Sequence, residues 1–106
     1  MEFITKTQFI TEERFEEKNG VFVFTLPKEC GLCHIYTDFL KTTNTDGFYI
    51  VEMEPEEKEW GVKDMLVLGF PTTRVYRLGE LVFERKGALF QAQIKLVYKA
   101  MEKFGL

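Results

Sequence analysis

Val21-Phe22-Val23-Phe24-Thr25-Leu26-Pro27-Lys28-Glu29-Cys30-Gly31-Leu32-Cys33 holds both cysteines of the chain and the run that leads to them. Val21 to Leu26 is β-branched and aromatic with almost no alternation, the pattern of a strand buried on both faces of a sheet. Pro27 ends that strand. Beyond the cysteines, Leu32, Ile35, Tyr36, Phe39 and Leu40 recur at helical spacing, so the pair sits at a strand-to-helix junction. Cysteines this close in sequence close too small a loop to stabilise a fold through chain entropy. The pair reads as chemistry: dithiol–disulfide exchange, with a thiolate favoured where the helix begins.

Of the 106 residues, 45% are hydrophobic and eleven are Phe, which suits one domain spanning residues 1–106 with a single core. The formal net charge is −3 and the longest basic cluster is Arg85-Lys86, so no nucleic-acid partner is expected. Met1 to Lys6 lacks the basic and apolar regions of an export signal, and no stretch approaches the length of a membrane span. A cytoplasmic location without membrane attachment is therefore expected. In that compartment a Cys-x-x-Cys pair is more often catalytic or metal-binding than structural.

Outward from the cysteines, the pattern predicts a first strand over Phe3 to Thr7 and a short acidic helix from about Thr11, anchored inward by Phe15 and stopped at Asn19-Gly20. Phe48 to Met53 reads as the next strand. Pro55 opens an acidic region that is helical or irregular around Trp60 to Met65. Thr72 to Arg77 and Leu81 to Arg85 flank a turn at Leu78-Gly79-Glu80 and predict a hairpin. Phe90, Ile94, Val97, Met101 and Phe104 share one face of a terminal amphipathic helix. The predicted class is α/β, with a mixed central sheet in the order βαβαβ then ββα, flanked by helices.

With Cys30-Gly31-Leu32-Cys33 at that junction, the order resembles the thioredoxin family, and the C-terminal half carries the rest of the likeness. Gly69-Phe70-Pro71-Thr72 is similar to the family's Gly-Ile-Pro-Thr segment, Gly79-Glu80 to its hairpin turn, and Gly87-Ala88 to the dipeptide before its last helix. The resemblance implies a thioredoxin-like fold and a thiol–disulfide oxidoreductase that reduces protein disulfides. It implies Cys30 as attacking nucleophile, Cys33 as resolving thiol, and a cis Phe70–Pro71 bond facing them, with Phe70 and Pro71 contacting an extended substrate segment. It also implies a monomer without cofactor, re-reduced by a thioredoxin reductase or a low-molecular-weight thiol.

The chain departs from the family pattern at several places. Glu29 replaces the Trp before the first cysteine, and Gly31-Leu32 replaces Gly-Pro. Phe24, six residues ahead of Cys30, stands where the family's buried acid is expected, so Phe24→Asp is expected to speed the resolving step. Glu29 beside Cys30 is expected either to oppose ionisation of the thiol or to be largely cancelled at the surface by Lys28, and Trp60 and Phe70 to serve either as an apolar rim or as core. His34 completes Cys-x-x-Cys-His, but without an export signal a c-type haem reading is weak, and one His with two Cys falls short of a tetrahedral zinc site. His34 is then a partly exposed helix residue or an electrostatic neighbour of the thiols. Two other functions compete. One is a glutaredoxin-like electron donor, for example to ribonucleotide reductase, although the paired glycines that help bind glutathione are absent. The other is a thioredoxin-fold binding module with little redox role.

Overall fold

A computed structural model describes residues 1–106. Its centre is strand β2 (Gly20–Thr25), whose six residues are all buried. The sheet order is β1-β3-β2-β4-β5, which puts the expected doubly buried strand in the middle. β3 (Phe48–Glu52) runs parallel to β2, and β1 (Glu2–Thr5) parallel to β3 at one edge. β4 (Thr72–Arg77) lies antiparallel to β2 and carries β5 (Glu80–Lys86) at the other edge. The predicted hairpin is present. Leu78 and Gly79 have φ of 50° and 84°, the paired positive values that a tight two-residue turn between twisted strands requires.

Successive side chains of β2 point to opposite faces. Val21 and Val23 join Tyr36, Leu40, Phe48, Ile50 and Val97 on the face covered by α2 (Gly31–Leu40) and α4 (Ile94–Lys103). Phe22 and Phe24 join Ile4, Phe9, Phe15, Val51, Met53 and Tyr76 on the face covered by α1 (Lys6–Thr11) and α3 (Lys58–Lys63). Gly20 starts β2 at φ 134°, and a Cβ there would meet the Gly47 carbonyl oxygen at 2.9 Å. Only glycine lets that strand begin so close to the loop before β3.

The N-terminal region differs from expectation. β1 stops at Thr5 and α1 begins at once, five residues ahead of the predicted helix. Thr5 is the reason: the Gln8 N–H donates to its Oγ1 at 3.1 Å while the Thr5 N–H donates to Gln8 Oε1 at 2.9 Å. This reciprocal cap satisfies two backbone donors that a helix start otherwise leaves open. Phe15 is buried as expected, but from a 3-10 turn (Glu13–Phe15) that follows α1.

In α2 the buried residues are Cys33, Tyr36 and Leu40, spaced as one helical face. Leu32 and Ile35, part of the apolar periodicity read from the sequence, are instead 43% and 59% exposed. α3 follows a 3-10 turn at Pro55–Glu57 and places Trp60 edge-on to Phe9, with ring centroids 6.0 Å apart. Trp60 therefore belongs to the core side of that helix. No helix is long and apolar enough to cross a membrane.

Candidate active site

β2 delivers the chain to the site within a few residues. After Thr25, Leu26 is buried and the Glu29 N–H donates to its carbonyl at 3.0 Å, turning the backbone back toward α2. The His34 ring crosses from α2 to that turn, with Nε2 2.5 Å from the Pro27 carbonyl oxygen. A carbonyl oxygen only accepts, so Nε2 carries the proton. His34 is thus a brace between the end of β2 and the first turn of α2.

Cys30 is the N-cap of α2, and the Cys33 N–H points at its Sγ from 3.1 Å. The sulfur occupies the place where a helix start presents unpaired backbone N–H groups and the positive end of its dipole. Cys30 and Cys33 are joined as a disulfide, with Cα atoms 5.3 Å apart. Cys30 is half-buried, whereas Cys33 is 2% exposed. Of the two, Cys30 is the more accessible.

The Phe70–Pro71 bond is cis, and the Phe70 carbonyl oxygen lies 3.6 Å from Cys30 Sγ. Pro71 is buried, and its own carbonyl accepts from the Gly87 N–H at 2.7 Å, while Thr72 Oγ1 donates to the Gly69 carbonyl at 2.6 Å. The segment is held on both sides next to the cysteines. A groove of about 390 Å³ opens there, lined among others by Leu26, Glu29, Cys30, Leu32, Lys58 and Phe70. Phe70 forms part of its apolar wall; Trp60 does not line it.

Two expectations about charge are corrected. Lys28 does not turn to Glu29. Its Nζ meets Glu54 Oε2 at 2.6 Å, and that carboxylate holds the ammonium above its usual pKa. Glu29 is left exposed on the groove beside Cys30. Phe24, for its part, does not occupy the place of an acid near Cys33. It points into the aromatic face, 5.6 Å from the Phe9 ring, with the Arg74 guanidinium 5.4 Å from its centroid. The next residue, Thr25, shares a recess with Cys33. Counting back from the cysteine assumes a fixed loop length after β2, and strand alternation then sends the residue so found to the wrong face.

No protein-family model matches the sequence, and no curated protein matches it significantly. Solved structures match over almost the whole chain. Mitochondrial thioredoxin 3 from Saccharomyces cerevisiae, in its oxidised form, is 19% identical with a TM-score of 0.62, covering 96% of this chain and 93% of that one. Thioredoxin from Malassezia sympodialis is 19% identical with a TM-score of 0.61, covering 96% and 89%. Reduced Schistosoma mansoni thioredoxin is 20% identical with a TM-score of 0.60, covering 98% and 99%. The chain has the thioredoxin fold. Glu29 and Leu32, two of the positions where it departs from the family pattern, line the groove beside Cys30, and a separate recess adjoins Cys33. Sequence reasoning missed Thr25 and Glu52 there, because their proximity to Cys33 comes from the β2–β3 register, which pairs Thr25 with Glu52.

Proposed function

We propose that this chain is a thiol–disulfide oxidoreductase that reduces protein disulfides through Cys30 and Cys33. The observation that carries the reading is the disulfide itself: a half-buried Cys30 capping a helix and bonded to a buried Cys33, beside a cis-proline segment at the edge of an open groove. In the reduced protein the helix start favours the Cys30 thiolate, which attacks one sulfur of a client disulfide and forms a mixed disulfide. Cys33 then attacks Cys30 Sγ, closes the Cys30–Cys33 bond and releases the reduced client. The Phe70 N–H has no hydrogen-bond partner within the chain and is open to the backbone of an extended client segment, with Pro71 setting the direction of that backbone.

On this reading residues 1–106 act as one thioredoxin-like domain and as a monomer, in a cytoplasmic setting that keeps thiols reduced. Electrons come from a thioredoxin reductase or a low-molecular-weight thiol. The test is reduction of a protein disulfide with a thiol donor present. Cys30→Ser should abolish turnover, and Cys33→Ser should accumulate a covalent adduct with the client. Faster alkylation of Cys33 than of Cys30 at neutral pH would reverse the assigned roles. Full biological activity in the double Cys→Ser variant would replace the redox reading with a binding role.

A further inference from the structure

Cys33 must lose a proton to resolve a mixed disulfide, yet it is 2% exposed, and burial disfavours the thiolate. One recess reaches it from the surface. It measures about 10 Å³, room for a single water molecule, and is lined by Thr25, Pro27, Cys33, His34, Thr37 and Glu52. Most polar hydrogens around it are committed. Thr25 Oγ1 donates to the Val51 carbonyl at 3.0 Å, Thr37 Oγ1 donates to the His34 carbonyl at 3.1 Å, and His34 Nε2–H is turned to Pro27.

Glu52 lines the same recess. It is the last residue of β3, exposed, and level with Thr25 on one side and Thr5 of β1 on the other. The ion pairs of the chain engage Glu2, Glu12, Asp38, Glu54, Glu59 and Glu84, and Lys28 is taken by Glu54. Glu52 is left as an unneutralised carboxylate at a polar path to the buried thiol. His34 is the other titratable side chain facing the recess beside Cys33, while β1 and β2 present only threonines to Glu52.

We propose that Glu52 accepts the Cys33 proton through one water molecule in this recess, the inference resting on the redox reading above. The Cys33 S–H bond breaks as its proton passes to the water and a proton of the water passes to the Glu52 carboxylate. The thiolate electron pair forms the Cys30–Cys33 bond and breaks the bond from Cys30 to the client. The client leaves as a thiolate and takes a proton from solvent, so the dithiol loses two electrons and the client disulfide gains two. Glu52, being exposed, returns its proton to solvent.

The aromatic disulfide DTNB separates the two steps, since attack by Cys30 releases one thionitrobenzoate and resolution by Cys33 releases a second. In Glu52→Gln the first phase should be unchanged and the second slowed about a hundredfold or more at neutral pH, the scale of a lost proton acceptor. The gap from the unmodified protein should close at alkaline pH, where hydroxide takes the proton, and Glu52→Asp should recover part of the rate. An unchanged second phase in Glu52→Gln, a slowing that persists at alkaline pH, or a loss confined to His34→Gln overturns the assignment of Glu52. If the unmodified protein shows no second phase, the redox reading itself fails, an outcome distinct from these.

Discussion

The two faces of the sheet are built from different side chains. Toward α1 and α3 the core is aromatic: Phe22 stacks on Tyr49 at 5.1 Å and meets Phe9, Phe15 and Tyr76 edge-on at 5.4, 5.7 and 5.8 Å. Toward α2 and α4 it is mainly aliphatic, with Val21, Val23, Leu40, Ile50, Val75 and Val97 around Tyr36. Each side buries polar groups in its own way. On the aromatic side Arg74, 4% exposed, reaches Glu84 at 2.6 Å, the Tyr76 hydroxyl at 3.0 Å and the Met65 carbonyl at 2.5 Å. On the aliphatic side the Tyr36 hydroxyl meets Thr73 Oγ1 at 2.8 Å. The cysteines straddle the two. Cys30 packs against the aromatic cluster, and Cys33 lies on the buried face of α2 with Tyr36 and Leu40. The two sides thus differ in kind: rings fill one, and the polar recess next to Cys33 opens on the other.

The largest expected effect comes from putting a carboxyl on the aromatic side. Phe24→Asp removes a fully buried ring and buries a polar group in its place, a loss on the order of 5 kcal/mol in urea unfolding, with Arg74 offsetting part of the cost. The second DTNB phase of this variant should be no faster than that of the unmodified protein. A faster second phase in a folded Phe24→Asp protein would break the separation of the two faces. Next in size is a pair of truncations from adjacent residues of β2. Phe22→Ala should lose about 3–5 kcal/mol, and Val23→Ala on the opposite face about 1–3 kcal/mol. Equal losses in urea titrations would mean that the two cores carry the fold alike.

The smallest effect tests the polar contact of the aliphatic side. Tyr36→Phe leaves Thr73 without its partner and should cost about 1 kcal/mol. Burial pushes the Tyr36 hydroxyl up to about 12 from an ordinary value of 10.0. The folded protein therefore keeps a proton that the unfolded chain gives up, and the stability from this group is complete below pH 10 and lost as pH rises toward 12. Tyr36→Phe should flatten stability against pH across that window. A slope unchanged by the substitution would assign the alkaline loss to other groups.

Much of this was legible in the sequence. The unalternating Val21–Leu26 run names the central strand, because only a strand covered on both faces tolerates apolar residues at every position. Leu78-Gly79 marks the hairpin, and the cysteines mark the junction, through local chemistry alone. What was hidden depends on distance in sequence or on handedness. Lys28 finds Glu54 across 26 residues, and Glu52 comes level with Thr25 only when β3 pairs with β2. The start of α1 was obscured because Thr5-Lys6-Thr7-Gln8 has the β-branched content of a strand, while its reciprocal cap depends on two side chains adopting helical spacing. Leu32 and Ile35 match a helical period but lie off the arc that α2 turns toward the sheet, so periodicity alone counted them as core.

The position of β2 in the sheet also bears on how the molecule breathes. A strand paired on both sides exchanges its amide hydrogens only through large openings of the structure, whereas edge strands fray at much lower free energy. β1 and β5 are the edges, and neither contributes to the loop that carries Cys30. The sulfurs are tethered to the amides expected to exchange slowest, so the margins of the sheet can open and reclose without loosening the cysteine pair.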